Sequence, residues 1–299
     1  MLFNKYEIKD KLQKLKSEHN RPFDPKPLSI IKEKEEVSFL EMIQEKILYP
    51  DKPKIGLVIG TFAAVPYINL QLEARKRLYP NVPILVHDDC SHKKNELKLI
   101  CEQYGCEFEY NSHHIATQSK GDLTAFIGGL RWAQINDYDI LVKFSRRFIP
   151  IIDWQKSLVD LAVKSQYPTF SSYTTSYDYG FRTECMAMSV HEWHRLNLVA
   201  DLIKEVLNPT QIFVEGMVHQ LAKKAAQFIG QKSILYDKQI GKRPHNKNGY
   251  AIWNFMGFDR RTRSNDFLWH DSVKPQDYHA LSTKWGLPYA LKDFENPNQ

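Results

Sequence analysis

At 299 residues and 42% hydrophobic content, the chain can bury a substantial core, in one large domain or one domain with appendages. Forty-one Lys and Arg against 35 Asp and Glu leave a net charge of +6, which suits anionic ligands or an anionic membrane surface and is too small an excess to argue for nucleic acid. No apolar stretch approaches about 18 residues and no basic start leads into an apolar core, so neither a membrane span nor a signal peptide is expected.

Residues 1–50 read as an N-terminal helical extension, with a lysine-rich, helix-prone stretch at 6–18, a proline-bearing link at 21–27 and an amphipathic helix at 35–48. An extra helical layer on the main domain is the favoured reading, with docking to a protein partner or a membrane face as the alternative. From residue 51 the pattern changes. Ile55-Gly56-Leu57-Val58-Ile59-Gly60 is a continuous apolar run, as in a strand buried on both faces of a parallel sheet. Helical spacing over 66–78 follows, then a strand at 83–87 closed by Asp88 and Asp89. A helix is expected at 95–104, a strand at 106–110, a helix at 122–135 and a fourth strand at 140–144. This βαβαβαβ order predicts an α/β fold, a mostly parallel sheet with helices on both faces. Ligands then sit beyond the carboxyl ends of the strands.

Further strands are expected at 169–173 and 185–190, joined by the loop Tyr173-Thr174-Thr175-Ser176-Tyr177-Asp178-Tyr179, whose rings and hydroxyls suit a sugar acceptor or simply fill a strand connection. Helices follow at 191–207, stopped by Asn208-Pro209, and at 213–228, ended at Gly230. The last 60 or so residues carry Lys242, Arg243, His245, Trp253, Arg260, Arg261, Arg263, Trp269, His270, Asp271 and Trp285 on a poorly periodic segment. That mixture fits a loop-rich flap closing over an anion, or a tail that packs its tryptophans and leaves its arginines in water. The expected division is 1–50, 51–240 and 241–299, the last packing on the second. Cys90, Cys101, Cys106 and Cys185 lack C-x-x-C spacing, and no histidine cluster completes a zinc set; packed, reduced thiols in a cytoplasmic protein are the expectation.

Three strand ends carry polar groups: Thr61, the Asp88-Asp89 pair, and Lys143-Phe144-Ser145-Arg146-Arg147. Over residues 54–155 the chain resembles the GT-A glycosyltransferases, with an IGTF first strand, a second strand ending in DD and a fourth leading into a basic turn. The resemblance implies a transferase that moves a sugar from a nucleotide-diphosphate donor to a hydroxyl acceptor, in polysaccharide or other glycoconjugate synthesis. It further implies donor-binding roles for Thr61, Asp88, Asp89, Lys143, Ser145, Arg146, Arg147 and His270. The acidic pair would hold base and ribose, or else cap the helix beginning near Ser91.

The chain departs from the family at the fourth strand. A D-x-D turn there usually holds a divalent cation, and Ser145, Arg146 and Arg147 cannot coordinate one. Arginine forks can bind phosphate oxygens instead, so no metal cofactor is expected; the alternative is a solvated surface pair. His270 resembles a C-terminal histidine that ligates metal in some members, a doubtful role without the acidic pair. Glu215 is the candidate base for the acceptor hydroxyl, or a first-turn glutamate that merely suits the helix dipole, with Asp178 in reserve. The competing functions are a non-catalytic partner of a glycan assembly system and a nucleotidyltransferase.

Overall fold

The computed structural model describes residues 48–115, 120–171, 183–210, 212–228, 266–270 and 273–296. The helices expected at 6–18 and 35–48 (Leu48 apart), the 173–179 loop with Asp178, and the cations from Lys242 to Arg263 lie outside them. Met1–Glu45 and Lys46–Gln299 are separate units, and all that follows concerns the second.

The apolar runs form the strands expected of them. β1 (Ile55–Thr61), β2 (Ile84–Asp88), β3 (Glu107–Tyr110) and β4 (Ile140–Ser145) alternate with α1 (Val65–Leu78), α2 (Lys94–Gln103) and α3 (Lys120–Ile135). β1 pairs in parallel with both β2 and β4, and β2 with β3. A short β5 (Phe148–Pro150) and α4 (Gln155–Ser165) lead to β6 (Thr169–Ser171) and β7 (Cys185–Ser189), and β7 runs antiparallel to its neighbours β4 and β6. The six-stranded order is β3-β2-β1-β4-β7-β6. The strands therefore progress outward from β1 in one direction and restart at β4 on its other side, which makes the β1/β4 carboxyl end the topological switch point.

Alternation along the strands builds a core on each face. Leu57, Ile59, Val142 and Phe144 join one cluster with residues of α1, α2 and α4, whereas Val58, Leu141, Met186 and Met188 join another beneath α3. That second layer continues with α5 (Val190–Arg195), α6 (Leu198–Leu207) and α7 (Val214–Phe228). The single helix expected at 191–207 is two, because Asn197 adopts a left-handed φ of 57° between α5 and α6; Asn tolerates that conformation better than most residues.

The described residues from 266 onward form regular elements. β8 (Phe267–Trp269) pairs antiparallel with β5, and α8 (Pro275–Lys284) and α9 (Leu291–Glu295) follow. Pro275 opens α8 at a position that needs no N–H, and Asp277 accepts from the Lys274 N–H at 2.7 Å. Asp293 does the same for the Ala290 N–H at 2.8 Å. Local capping thus supplies the helix starts that hydrophobic periodicity does not announce. Tyr278 and Phe294 pack with Tyr67 of α1, centroids 4.8 and 5.2 Å away.

Candidate functional site

The β1/β4 switch point is built from three loops. After β1 the chain turns through Phe62, Ala63 and Ala64, with the Thr61 hydroxyl donating to the Ala63 carbonyl at 2.9 Å. Ala63 and Ala64 both take left-handed φ values, 54° and 55°, a conformation that residues with a Cβ adopt only when their surroundings enforce it. Thr61 also accepts the Asp89 N–H at 2.9 Å, which joins this loop to the acidic pair. Arg146 reaches in from the other side and donates to the Phe62 carbonyl at 2.6 Å.

The basic turn between β4 and β5 is held by its carbonyls. Gln71 of α1 donates to the Ser145 and Arg146 carbonyls at 3.1 and 2.8 Å, and the Tyr278 hydroxyl of α8 donates to that of Arg147 at 2.7 Å. Ser145 N–H is taken by the Glu184 carbonyl at 2.9 Å. Main-chain acceptors that would repel an anion are thereby turned toward the protein, and the three side chains remain half-buried at the rim. Burial, and then the neighbouring Arg147, pull the Arg146 guanidinium below its ordinary pKa. Two neighbouring cations in a partly dry setting are costly alone and favourable beside an anion. The β5/β8 register sets Phe148 across from Trp269, so the strand that ends just before His270 pairs with the strand that begins just after Arg147.

Lys143 departs from the expectation. Its side chain is fully buried on the α3 side of β4, where the ammonium meets Asp122 Oδ1 and Oδ2 at 2.5 and 2.7 Å, the Thr183 carbonyl at 2.8 Å and Ser145 Oγ at 2.9 Å. The Phe126 ring lies 4.9 Å from it. Gly60 makes room for the pair, since a Cβ there would stand 3.3 Å from Asp122 Oδ1 and 2.9 Å from the Ala125 Cβ. An ammonium saturated in this way shapes the turn and does not face a ligand.

The acidic pair is also engaged. Asp88 is fully buried and its Oδ2 accepts the Ser91 N–H at 2.7 Å; this bond closes the loop ahead of α2, whose N-cap is Lys93 without a side-chain cap, so the helix-capping alternative does not hold. Burial raises the Asp88 pKa against the lowering effect of Ser91 and Ala63 N–H groups. Asp89 accepts from Asn111 Nδ2 at 2.7 Å and the Ile115 N–H at 3.2 Å, and its Oδ2 lies 2.8 Å from His114 Nδ1. Gly121 leaves room for this carboxylate, since a Cβ there would fall 2.1 Å from Asp89 Oδ2 and force it to shift. The His114 ring packs at a tilt against Phe62 of the switch-point loop, centroids 4.4 Å apart.

Glu215 stands in the first turn of α7. Lys120 at the start of α3 donates to the Ile212 carbonyl at 2.8 Å and pairs with buried Glu205, which sets the start of α7 at the same sheet edge. Thr61, Asp88, Asp89, Ser145, Arg146 and Arg147 thus lie at or just beyond the carboxyl ends of β1, β2 and β4, Lys143 is buried behind the turn, His270 follows β8, Glu215 is in the first turn of α7, and Asp178 is outside the described residues. Gln71, Asn111, His114, Asp122 and Tyr278 were not singled out by sequence, and only Asp122 carried a hint, as an acid in a helix's first turn. A divalent cation does not fit the turn itself, whose three side chains are Ser145, Arg146 and Arg147 and where Asp122, beneath it, is committed to Lys143. Among the described residues, no group of three His, Cys, Asp or Glu side chains could hold a metal ion.

No protein-family profile and no curated protein sequence matches the chain. Among solved structures it is similar to the mannosyltransferase PcManGT from Pyrobaculum calidifontis, solved with GDP-Man and Mn2+, at 13% identity and a TM-score of 0.43, over 72% of this chain and 58% of that one. The chain thus spans little more than half of that protein. It is also similar to a cytidylyltransferase from Leptospira borgpetersenii (12% identity, TM-score 0.39, 60% of this chain and 74% of that one). A third is the glycosyltransferase GlyE of Streptococcus pneumoniae (11% identity, TM-score 0.39, 58% and 43%). Likeness this distant says nothing of activity.

Proposed function

We propose that the chain is a glycosyltransferase that moves a sugar from a nucleotide-diphosphate donor to a hydroxyl acceptor, in polysaccharide or glycoconjugate synthesis. The observation that carries it is the Ser145-Arg146-Arg147 turn at the β1/β4 switch point, its carbonyls drawn off by Gln71 and Tyr278. Breaking a sugar–diphosphate bond loads negative charge onto the departing phosphates. Guanidinium forks already in place stabilise that charge without reorganising as it forms. Arg146 and Arg147 do this where relatives of the resembled family use a metal, with His270 beside them. Asp88 and Asp89 order the loops around the nucleoside, and Glu215, with Asp178 in reserve, takes the acceptor proton. No described helix is long and apolar enough to cross a membrane, and we place the enzyme in the cytoplasm.

A nucleotidyltransferase would need carboxylates to hold its metal, and the cations at the turn oppose that. Calorimetry with nucleoside diphosphates and nucleotide-sugars, with and without excess EDTA, tests the proposal. Binding and transfer should persist in EDTA, and Arg146→Ala should weaken a nucleoside diphosphate by roughly 10- to 100-fold, the scale of a lost bond to a charged group, while sparing the nucleoside. Activity abolished by chelation and restored by manganese would overturn the arginine assignment, and a non-catalytic partner would bind without turnover.

A further inference from the structure

We infer that Ser145 donates a hydrogen bond to the anion at the basic turn, and that Lys143 is the positioning residue that makes it a donor. The inference rests on the anion site proposed above and adds a third donor to the two arginines. An ammonium carries three protons and no lone pair, so in the 2.9 Å contact between Lys143 Nζ and Ser145 Oγ the serine can only accept. A hydroxyl whose oxygen faces a buried cation must direct its own proton away from that cation. The Ser145 N–H and carbonyl are already engaged by Glu184 and Gln71, and among the described residues Oγ donates to no acceptor. Ser145 is half-buried where Lys143 is fully buried. The proton is therefore driven outward, to the rim where the Arg146 and Arg147 side chains lie.

The pairing also explains why a lysine with no access to ligand occupies the end of the central strand. Asp122 neutralises its charge, so Lys143 adds no net attraction for an anion, yet it still fixes the serine rotor and ties Thr183 to the same point. Asp122 and Thr183 would keep the ammonium satisfied if the serine oxygen were removed, which makes Ser145→Ala a clean perturbation.

Calorimetry with inorganic pyrophosphate as the probe tests the inference. Ser145→Ala should bind pyrophosphate roughly 10- to 100-fold more weakly than the natural chain, and Ser145→Thr, which keeps the hydroxyl, within about threefold of it. Lys143→Met should weaken binding to a similar degree, and adding Ser145→Ala to it should change affinity by less than about twofold, because the rotor is already lost. Wild-type affinity in Ser145→Ala, equal losses in the alanine and threonine variants, or additive losses in the double variant would each overturn the inference. If Lys143→Met does not fold, the alanine and threonine pair decides alone. Binding of pyrophosphate without binding of any nucleoside diphosphate would remove the nucleotide reading and leave the donor role standing. Failure to bind either anion would overturn both.

Discussion

The Lys143–Asp122 pair makes an asymmetric prediction about stability. Lys143 is wholly buried, whereas the Asp122 side chain keeps 23% of its exposure. Asp122→Asn leaves an ammonium in a dry core with the Thr183 carbonyl, Ser145 Oγ and an amide oxygen but no counter-charge. Breaking a buried pair in this way costs about 3 to 5 kcal/mol. Lys143→Met instead orphans a carboxylate that can turn to water, and methionine fills most of the lysine's volume against Phe126, so the loss should be nearer about 1 to 3 kcal/mol. For a unit of this size each kcal/mol lowers Tm by about 2 to 4 °C, so Asp122→Asn should fall by about 6 to 20 °C and Lys143→Met by clearly less. Combining Asp122→Leu with Lys143→Met should recover much of the deficit, since a hydrophobic replacement of both partners removes the uncompensated charge. Urea denaturation followed by circular dichroism would measure all three. A larger loss in Lys143→Met than in Asp122→Asn would refute the reasoning, because it would mean that the lysine's packing, not its charge, holds this corner.

Gln71→Ala should free the Ser145 and Arg146 carbonyls and weaken nucleoside diphosphate binding by about tenfold without altering nucleoside affinity; calorimetry showing equal loss for both ligands would make Gln71 a general packing residue. Burial works to raise Glu205, but its bonds from Lys120 and Thr210 outweigh that and hold its carboxyl below the ordinary glutamate range. A depressed acid contributes stability above its unfolded value that disappears as pH falls through the folded one, so Glu205→Gln should flatten the decline of Tm below about pH 4.5. An unchanged slope of Tm against pH would show that other carboxylates dominate acid unfolding. Glu215→Gln should keep donor affinity and lower turnover by about 10²-fold or more, as removal of a general base does, and kinetics showing equal losses in both would leave it a helix-dipole residue.

The layers of the fold were legible because burial on both faces imposes continuous apolar runs, and these run almost unbroken in β1, β2 and β4. Short elements escaped. β5 and β8 are three residues each and find their register only against one another, and α4 has few buried positions to mark a period. The break at Asn197 was hidden because hydrophobic spacing continues through it from Trp193 to Leu202, and only the backbone angle divides the helices.

At the candidate site, sequence named the strand ends that meet at the β1/β4 switch point and misread Lys143 among them. A lysine next to two arginines reads as a third cation for an anion, and one-dimensional proximity cannot say which face of a strand each residue takes. Strand alternation could have raised the question, since Leu141, Lys143 and Ser145 share one face and Leu141 belongs to the core beneath α3. A charge on that face needs a partner from α3, and Asp122 in its first turn was the available carboxylate. Arg146 and Arg147 follow the last strand residue, where alternation ends and the turn sets direction. The charge proposed to serve an anion therefore begins one residue beyond β4, and the charge within β4 serves the protein.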